Sequence, residues 1–204
     1  MTRGESQSVT RQKLIEAARE IIAADGLAAA SVRTISEAAG FSQGAFYSNF
    51  ESKDHLLLEV LALHLSSVND RLDRMADAVE MTPVGAGRST PEAVIDFFRN
   101  LNPKLNWSTL AVELWLHANR SVAMAELYGA MRASFFERAG HAFRRVFEHL
   151  RLEPSISPEE LAMGLTSTTV GFAIQFGSLT AAEARSKFMS AVFAGIVFTA
   201  EPAE

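Results

Sequence analysis

The chain has 204 residues, of which 48% are hydrophobic and 21% are charged, a composition typical of a folded protein rather than a disordered one. It contains no cysteine, so a disulfide framework and thiolate metal sites are excluded. The formal net charge of −5 weighs against a nucleic-acid binder that works through a general basic surface.

Two stretches bear on the location of the protein. The N-terminus is polar and lacks the apolar region of a secretion signal. The longest nearly apolar run, residues 191–200, has about half the length of a membrane span. We therefore expect a cytoplasmic protein without a membrane segment.

The N-terminal segment is predicted to be a mobile arm over residues 1–8, followed by a first helix. Ser8 or Thr10 can cap this helix, and Gly26 ends it after about Asp25. Apolar residues recur at helical spacing along it, at Leu14, Ala18, Ile21 and Ile22. We expect this helix to support the next segment from behind.

Residues 31–53 have the pattern of two short helices joined by a tight turn, followed by the start of a third helix. Gly40 supplies the break, and Ser42 can cap the second helix. Phe46 and Phe50 are expected to point inward. The outward face is then small and hydrogen-bonding rather than charged, and consists of Gln43, Gly44, Ala45 and Tyr47. Such a face suits a major groove, so the segment is predicted to be a DNA-binding helix-turn-helix.

The run from Gly40 to Lys53, GFSQGAFYSNFESK, also resembles the signature of the TetR family of one-component transcriptional regulators, which commonly reads G-x-S-x-x-x-x-Y-x-H-F-x-x-K. The sequence departs from this signature at Asn49, where many members have histidine. The helical patterns along the chain, together with the resemblance, predict an all-α fold of about nine helices. In it, a three-helix DNA-binding domain (residues 9–54) is joined by a long helix to a larger helical domain for ligand binding and dimerisation (residues 55–204).

The long helix is visible in the sequence itself. Ser52 is predicted to cap it, and it reaches about Met81. Its apolar residues follow at spacings of three and four, at Leu57, Leu61, Leu65, Val68, Leu72, Met75 and Val79. A helix of this length spans roughly 40 Å, enough to join two domains. We expect a tilt at its far end to move the DNA-reading element at its near end.

The rest of the chain is predicted to be helical between two loops at residues 82–90 and 153–157. The predicted helices cover residues 90–101, 104–118, 121–150, 158–176 and 181–198. The helix at 158–176 starts with a capping box, because Ser157 precedes Pro158 and Glu160. The last two helices are apolar around much of their girth, so we expect them to form a homodimer as a four-helix bundle. Two recognition helices ~34 Å apart would then read a palindromic operator.

Individual DNA contacts are assigned by side-chain chemistry. Glutamine pairs with adenine and an alanine methyl contacts thymine, so base edges are assigned to Gln43, Ala45 and the backbone of Gly44. Phosphate contacts are assigned to Ser42, Tyr47, Asn49 and Lys53, and Arg33 can reach either a base or a phosphate. The local basic surface required for these contacts is expected from Arg33, Lys53, Arg3, Arg11 and Lys13.

The resemblance further implies a small-molecule effector bound between the long helix and the helices that follow it. The candidate wall residues are Trp107, Leu110, Leu114, His117, Tyr128, Phe135, Thr168, Phe172 and Gln175. An aromatic and methyl-rich wall with few charges suits a hydrophobic or aromatic molecule. His117 is expected to face inward, either as a polar contact for the effector or as a satisfied core residue.

One segment has a second interpretation. Residues 40–44 also match G-x-S-x-G, the nucleophile elbow of α/β-hydrolases, with Ser42 as nucleophile. That motif requires a strand before the serine, and a helical pattern precedes it here.

The five histidines lack the spacing of a metal site, and no cofactor is implied. The main hypothesis is a non-enzymatic dimeric repressor that its effector releases from DNA; the alternatives are a ligand-independent regulator, a helical interaction module and a serine hydrolase.

Overall fold

The computed structural model of the chain describes residues 3–83, 106–120, 122–176, 184, 187–189 and 191–192. Helices and short connecting turns make up these residues, and no strand occurs among them. The predicted all-α class is confirmed. None of the helices in this part of the chain has the length and apolar character needed to cross a bilayer.

Apart from the start of α1, the described helices lie close to their predicted positions. They are α1 (Arg3–Asp25), α2 (Val32–Ala38), α3 (Gln43–Tyr47), α4 (Lys53–Glu80), α5 (Asn106–Ala118), α6 (Val122–Leu150) and α7 (Pro158–Phe176), with a 3-10 turn at Leu27–Ala29. The predicted helix at 90–101 lies outside the described residues. Of the predicted helix at 181–198, residues 184, 187–189 and 191–192 are described, and all are helical.

Helix α1 begins earlier than the sequence pattern predicted. The expected arm is helical from Arg3 onward, five residues before Ser8. Only Gly4 strongly disfavours a helix in this stretch, and extending an existing helix adds one hydrogen bond per residue. The predicted end is confirmed, because Gly26 follows Asp25 with φ of 82°, a conformation that glycine adopts without strain.

Capping residues set the start of the later helices as predicted. The Ser52 hydroxyl accepts a hydrogen bond from the His55 N–H, at 3.1 Å, ahead of α4. At α7, the Glu160 N–H donates to Ser157 Oγ at 3.2 Å, and the Ser157 N–H donates to Glu160 Oε2 at 2.9 Å. These reciprocal bonds form the capping box, with Pro158 as the first residue of the helix.

The chain folds as two compact units. Unit 1 comprises Met1–His64 and Asn106–Gly129, and unit 2 comprises Leu65–Leu105 and Ala130–Glu204. Helices α4 and α6 each contribute one part to unit 1 and the other to unit 2. The segment that contains α5 therefore shares a unit with the helix-turn-helix, although it follows it by more than fifty residues.

Unit 2 is built on an apolar core between the second half of α4, the second half of α6 and the start of α7. Its fully buried members include Leu72, Ala76, Phe143, Val146 and Leu161. Their spacing of three and four along each helix follows the helical period, so each helix buries one face. Burying a valine, leucine or phenylalanine side chain contributes about 1.5–3 kcal/mol to folding. The predicted apolar face of α4 is confirmed over this part of its length.

Two arginines of α6 pair with acidic residues of α4 along the edge of this core. Arg138 Nη2 lies 2.9 Å from Asp70 Oδ1, and Arg145 Nη2 lies 2.5 Å from both Asp77 Oδ1 and Glu80 Oε2. These pairs hold the pKa of both guanidinium groups above its ordinary value, mainly through the hydrogen bonds. They link the two helices along one edge of unit 2.

Candidate nucleic-acid interface

The turn between α2 and α3 has a fixed backbone geometry. Gly40 has φ of 74°, in the left-handed region that glycine favours. The N–H of Phe41 donates to the Ser36 carbonyl at 2.9 Å, and the N–H of Gly40 donates to the Glu37 carbonyl at 3.1 Å. This pair of bonds is the Schellman motif, which satisfies the last carbonyls of α2. The predicted break at Gly40 is confirmed.

Helix α3 has five residues and is held at its start and along its inner face. The Ser42 hydroxyl accepts a hydrogen bond from the Ala45 N–H at 3.2 Å, as predicted for the cap. Phe46 and Phe50 are buried, with ring centroids 5.5 Å apart. The inward positions predicted for both phenylalanines are confirmed. Because its inner face is anchored, α3 presents its other face in a defined orientation.

The outer face of α3 is polar, small and accessible. Gln43 and Gly44 are exposed, and the Tyr47 side chain is 59% exposed. Tyr47 packs edge-on against Phe46, with 5.4 Å between the ring centroids, so its ring is supported from below. Ala45 is half-buried, so only part of its methyl group is available to a partner.

The polar residues assigned to phosphate contacts differ in their availability. Ser42 is exposed, and its hydroxyl proton is not used by the cap, in which the oxygen accepts. Lys53 is half-buried at the first turn of α4. Arg33 is exposed, with Nε 2.8 Å from Glu37 Oε1. A surface pair of this kind contributes little and exchanges readily for a phosphate.

The side chain of Asn49 is less accessible than a phosphate contact requires. Its side chain is half-buried, and Nδ2 donates to the Ala45 carbonyl at 2.8 Å. Its Oδ1 is buried and has no hydrogen-bond partner among the described residues. The amide is thus engaged at the end of α3 rather than presented to solvent.

The expected basic surface is only partly present. Lys13 is exposed, with Nζ 5.9 Å from the centroid of the Phe41 ring. Arg11 is engaged within unit 1, where its guanidinium donates to the Asn49 carbonyl and pairs with Glu59. The side chain of Arg3 lies outside the described residues.

Helix α5 packs in unit 1 through contacts with α4 and α6. The rings of Trp107 and His64 are stacked, with 4.3 Å between their centroids. The Tyr128 hydroxyl donates to the Ala111 carbonyl at 2.9 Å. The expectation that His117 faces inward is wrong: its side chain is 48% exposed, and Nε2 lies 3.1 Å from Asp54 Oδ2.

The other candidate wall residues are distributed over both units. In unit 1, Leu110, Leu114 and Tyr128 are buried. In unit 2, Phe135 is buried and Thr168 is half-buried, whereas Gln175 is exposed. Phe172 is half-buried and packs against the rings of Phe176 and Phe188, with centroids 5.7 Å and 5.8 Å away.

The segment that matches the nucleophile elbow lacks the backbone of that motif. Helix α2, not a strand, precedes the turn, and the Ser42 oxygen caps α3 by accepting the Ala45 N–H. A nucleophile elbow needs its serine at a strand-to-helix turn with the oxygen directed outward. The geometry favours the cap of a recognition helix over a nucleophile.

Residues 14–60 match the sequence profile of the family described as bacterial regulatory proteins, tetR family. No curated protein matches the chain in sequence. Its fold matches that of a protein from Mesorhizobium loti MAFF303099 assigned to the TetR-family transcriptional regulators. That protein is 16% identical, with a TM-score of 0.73, and the match covers 98% of this chain and 99% of the other.

Two further solved structures with the same fold contain small molecules. A protein from Saccharomonospora viridis assigned as a transcriptional regulator, in complex with choline, is 18% identical with a TM-score of 0.65, covering 95% of this chain and 99% of that one. The multidrug binding protein EbrR, complexed with imidazole, is 19% identical with a TM-score of 0.60, covering 92% and 94%. These likenesses extend over nearly the whole chain and show its fold.

Proposed function

We propose that residues 14–60, which match the tetR family of bacterial regulatory proteins, act as a DNA-binding domain. The chain is a DNA-binding transcriptional regulator of the TetR fold. We infer that it is a cytoplasmic, non-enzymatic repressor that binds a palindromic operator as a homodimer. A small hydrophobic or aromatic effector releases it.

The observation that carries this proposal is that α3 exposes one face while its other face is buried and its start is capped. Gln43 and Tyr47 project from a helix whose inner side is locked by buried Phe46 and whose start is capped by Ser42. Gly44, between them, has no side chain, so the backbone can approach the groove floor closely. A major groove admits such a helix and offers hydrogen-bonding edges to glutamine.

We divide the DNA contacts according to what each side chain has available. Gln43, the Gly44 backbone and the partly exposed Ala45 contact base edges. Ser42, Tyr47 and Lys53 contact phosphates, and Arg33 exchanges its Glu37 pair for a phosphate or base. We no longer assign a phosphate to the Asn49 side chain, because its amide nitrogen already bonds to the Ala45 carbonyl.

Exposed apolar side chains support the dimer. On α7, Ile174 and Phe176 are exposed, as are Met163 on the same helix and Phe188 beyond it. Phe176 and Phe188 both pack against the Phe172 ring, so these two exposed side chains share one apolar surface. Such a surface commonly marks a contact with a partner. We propose that α7 and the segment at 181–198 pair with the same elements of a second copy, as an isologous interface.

Support for the effector comes from relatives in fold and from α4. Choline and imidazole are bound by the two proteins described above. Helix α4 is uninterrupted from Lys53 to Glu80, so we propose that a tilt in its later turns moves Lys53, the last of the assigned DNA contacts. The effector changes operator affinity only by its difference in affinity for the two orientations, typically 1–3 kcal/mol. Each predicted wall residue stays a candidate for effector contact within its own unit.

Operator binding is the decisive test. A fluorescent duplex that carries the DNA upstream of the gene is titrated with the protein at fixed salt, beside a scrambled duplex of the same composition. We expect at least about a thousandfold preference for the upstream DNA, the lower end of the range for specific regulators. Equal affinity for both duplexes would overturn the proposal and favour a helical interaction module. Light scattering of the free protein tests the dimer.

Two alternatives have their own tests. A ligand-independent regulator would keep the same operator affinity in the presence of choline, imidazole and a panel of aromatic molecules. A serine hydrolase would turn over a chromogenic ester and lose that activity on Ser42→Ala. We expect no ester turnover by wild type or by Ser42→Ala. Loss of the α3 cap in Ser42→Ala should instead lower the free energy of unfolding by about 1 kcal/mol.

A further inference from the structure

Two side chains of α1 donate hydrogen bonds to the C-terminal end of the recognition helix. Gln7 Nε2 donates to the Ser48 carbonyl at 3.3 Å, and Arg11 Nη1 donates to the Asn49 carbonyl. Gln7 and Arg11 are four residues apart, so they lie on the same face of α1. The carbonyls at the end of α3 are thus satisfied by another helix instead of by water.

Arg11 also makes two contacts that fix its guanidinium. Nη2 pairs with Glu59 on α4, and Cζ lies 4.1 Å from the centroid of the Phe50 ring. One side chain therefore joins three elements: α1, the residues that follow α3, and α4. The planar guanidinium suits this role because its donors diverge in fixed directions while its face stacks on an aromatic ring.

The need for such a tie follows from the length of α3. Five residues form little more than one turn, and a helix this short has almost no stability of its own. Ser42 caps its start and Phe46 anchors its inner face. At its far end the Asn49 amide and the buried Phe50 ring give local support, and the bonds from Gln7 and Arg11 link that end to α1. A cation near that end is also favoured by the helix dipole.

We propose that Arg11 is a positioning residue for DNA recognition: it holds the far end of α3, and with it Tyr47, without contacting DNA itself. Gln7 assists it from one turn earlier. This inference rests on the proposed function, since it concerns how that function's reading helix is oriented. It assigns to Arg11 a role different from that of a phosphate contact, and the two roles make opposite predictions.

The test compares Arg11→Met, Arg11→Lys and Glu59→Gln with wild type in affinity for the upstream duplex across a series of salt concentrations. Arg19→Met is the matched control, because Arg19 lies on the same helix and pairs with Glu16 of that helix. Thermal unfolding of each variant identifies a temperature at which all variants are folded, and the affinities are measured at that temperature.

We expect Arg11→Met to weaken binding about tenfold, the loss of roughly one good contact, with an unchanged slope of log affinity against log salt. Glu59→Gln should weaken binding less but in the same direction, because the guanidinium loses its ion pair. Arg11→Lys should fall between wild type and Arg11→Met. Arg19→Met should bind as wild type does.

Other outcomes would overturn the proposal. If Arg11 contacts a phosphate, Arg11→Met lowers the salt slope by about one, and Glu59→Gln leaves affinity unchanged or raises it by freeing the guanidinium. If Arg11 serves stability alone, unfolding shifts while the affinity of the folded protein does not. If Arg11→Met does not fold, Arg11→Lys and Gln7→Ala decide. Failure of wild type to prefer the upstream duplex would refute the regulator function itself, which is a distinguishable result.

Discussion

His117 Nε2 lies 3.1 Å from Asp54 Oδ2, which joins the end of α5 to the first turn of α4. Asp54 directly follows Lys53, the last residue of the proposed DNA contacts. A residue more than sixty positions later in the chain is therefore tied to the edge of the DNA-reading surface. Both side chains belong to unit 1, so the contact is part of the structure that presents α3.

The His117–Asp54 contact is expected to contribute under about 1 kcal/mol, because both side chains are partly exposed. A double-mutant cycle with His117→Ala and Asp54→Asn, measured by urea unfolding, gives its coupling energy. His141→Ala, at an exposed position on α6, is the control for loss of a histidine. A coupling energy indistinguishable from zero would mean that the pair does not restrain α5.

Substitutions of Gln43 and Tyr47 are expected to change DNA affinity in different ways. Tyr47→Phe removes a hydroxyl donor to phosphate and should weaken binding to every duplex by about tenfold. Gln43→Ala should instead relax the preference at one base pair, by about 1–3 kcal/mol, and leave binding to other sequences nearly unchanged. Affinity measured on a set of single-base operator variants separates the two patterns. The assignment is wrong if both variants change all duplexes equally.

Gly44→Ala is expected to stabilise the fold and impair DNA binding. A Cβ at this position would meet Ser42 Oγ at 3.6 Å, an ordinary contact, and alanine favours a helix over glycine by about 1 kcal/mol. The added methyl would, however, stand between the backbone and the groove. Thermal unfolding and operator affinity should therefore move in opposite directions. Gly40→Ala is the contrasting variant, because the φ of 74° should make it destabilising.

Asn69→Leu is expected to stabilise unit 2. The Asn69 side chain is buried in α4, where Nδ2 donates to the Phe135 carbonyl at 3.3 Å and Oδ1 has no hydrogen-bond partner among the described residues. An unsatisfied buried oxygen costs about 1–3 kcal/mol, and leucine removes it at similar volume. Asn69→Ala, which leaves a cavity, should not stabilise. A loss of stability in Asn69→Leu would indicate a buried water at this oxygen.

Glu160→Gln is expected to change the acid response of the protein. The Ser157 N–H and hydroxyl bond to the Glu160 carboxylate and hold its pKa below the ordinary value of 4.5. A carboxyl whose pKa is lowered by folding stabilises the protein above its unfolded pKa, and the effect is lost as the pH falls through the folded value. The difference in melting temperature between wild type and Glu160→Gln should thus be present above the ordinary pKa of 4.5 and should shrink as the pH falls below it. A difference independent of pH would contradict the role of the charge.

Features set by neighbouring residues could be predicted from the sequence. The start of α7, the cap of α3 and the break at Gly40 each depend on side chains within four positions of one another. The length of α4 could likewise be predicted, because its apolar residues recur at the helical period along the helix. The inward direction of Phe46 and Phe50 followed from the same period.

Features set by distant residues could not be predicted. Arg11 looked like a solvated basic residue because its partner Glu59 lies 48 positions away. Asn49 looked available to DNA because nothing in the sequence reveals that its amide turns back to the helix. The inward direction expected for His117 failed for the same reason, since Asp54 belongs to another helix. Periodicity indicates which face is apolar but not which charged side chains meet across helices.

The composition of unit 1 has a practical consequence for preparing a minimal DNA-binding fragment. A fragment limited to the matched segment, residues 14–60, would lack Gln7 and Arg11 and leave the far end of α3 untied. A longer fragment ending at residue 64 would still lack α5, which contacts α1 and carries the buried residues Leu110 and Leu114. The DNA-reading unit is discontinuous in sequence, so neither truncation is expected to reproduce the affinity of the full chain.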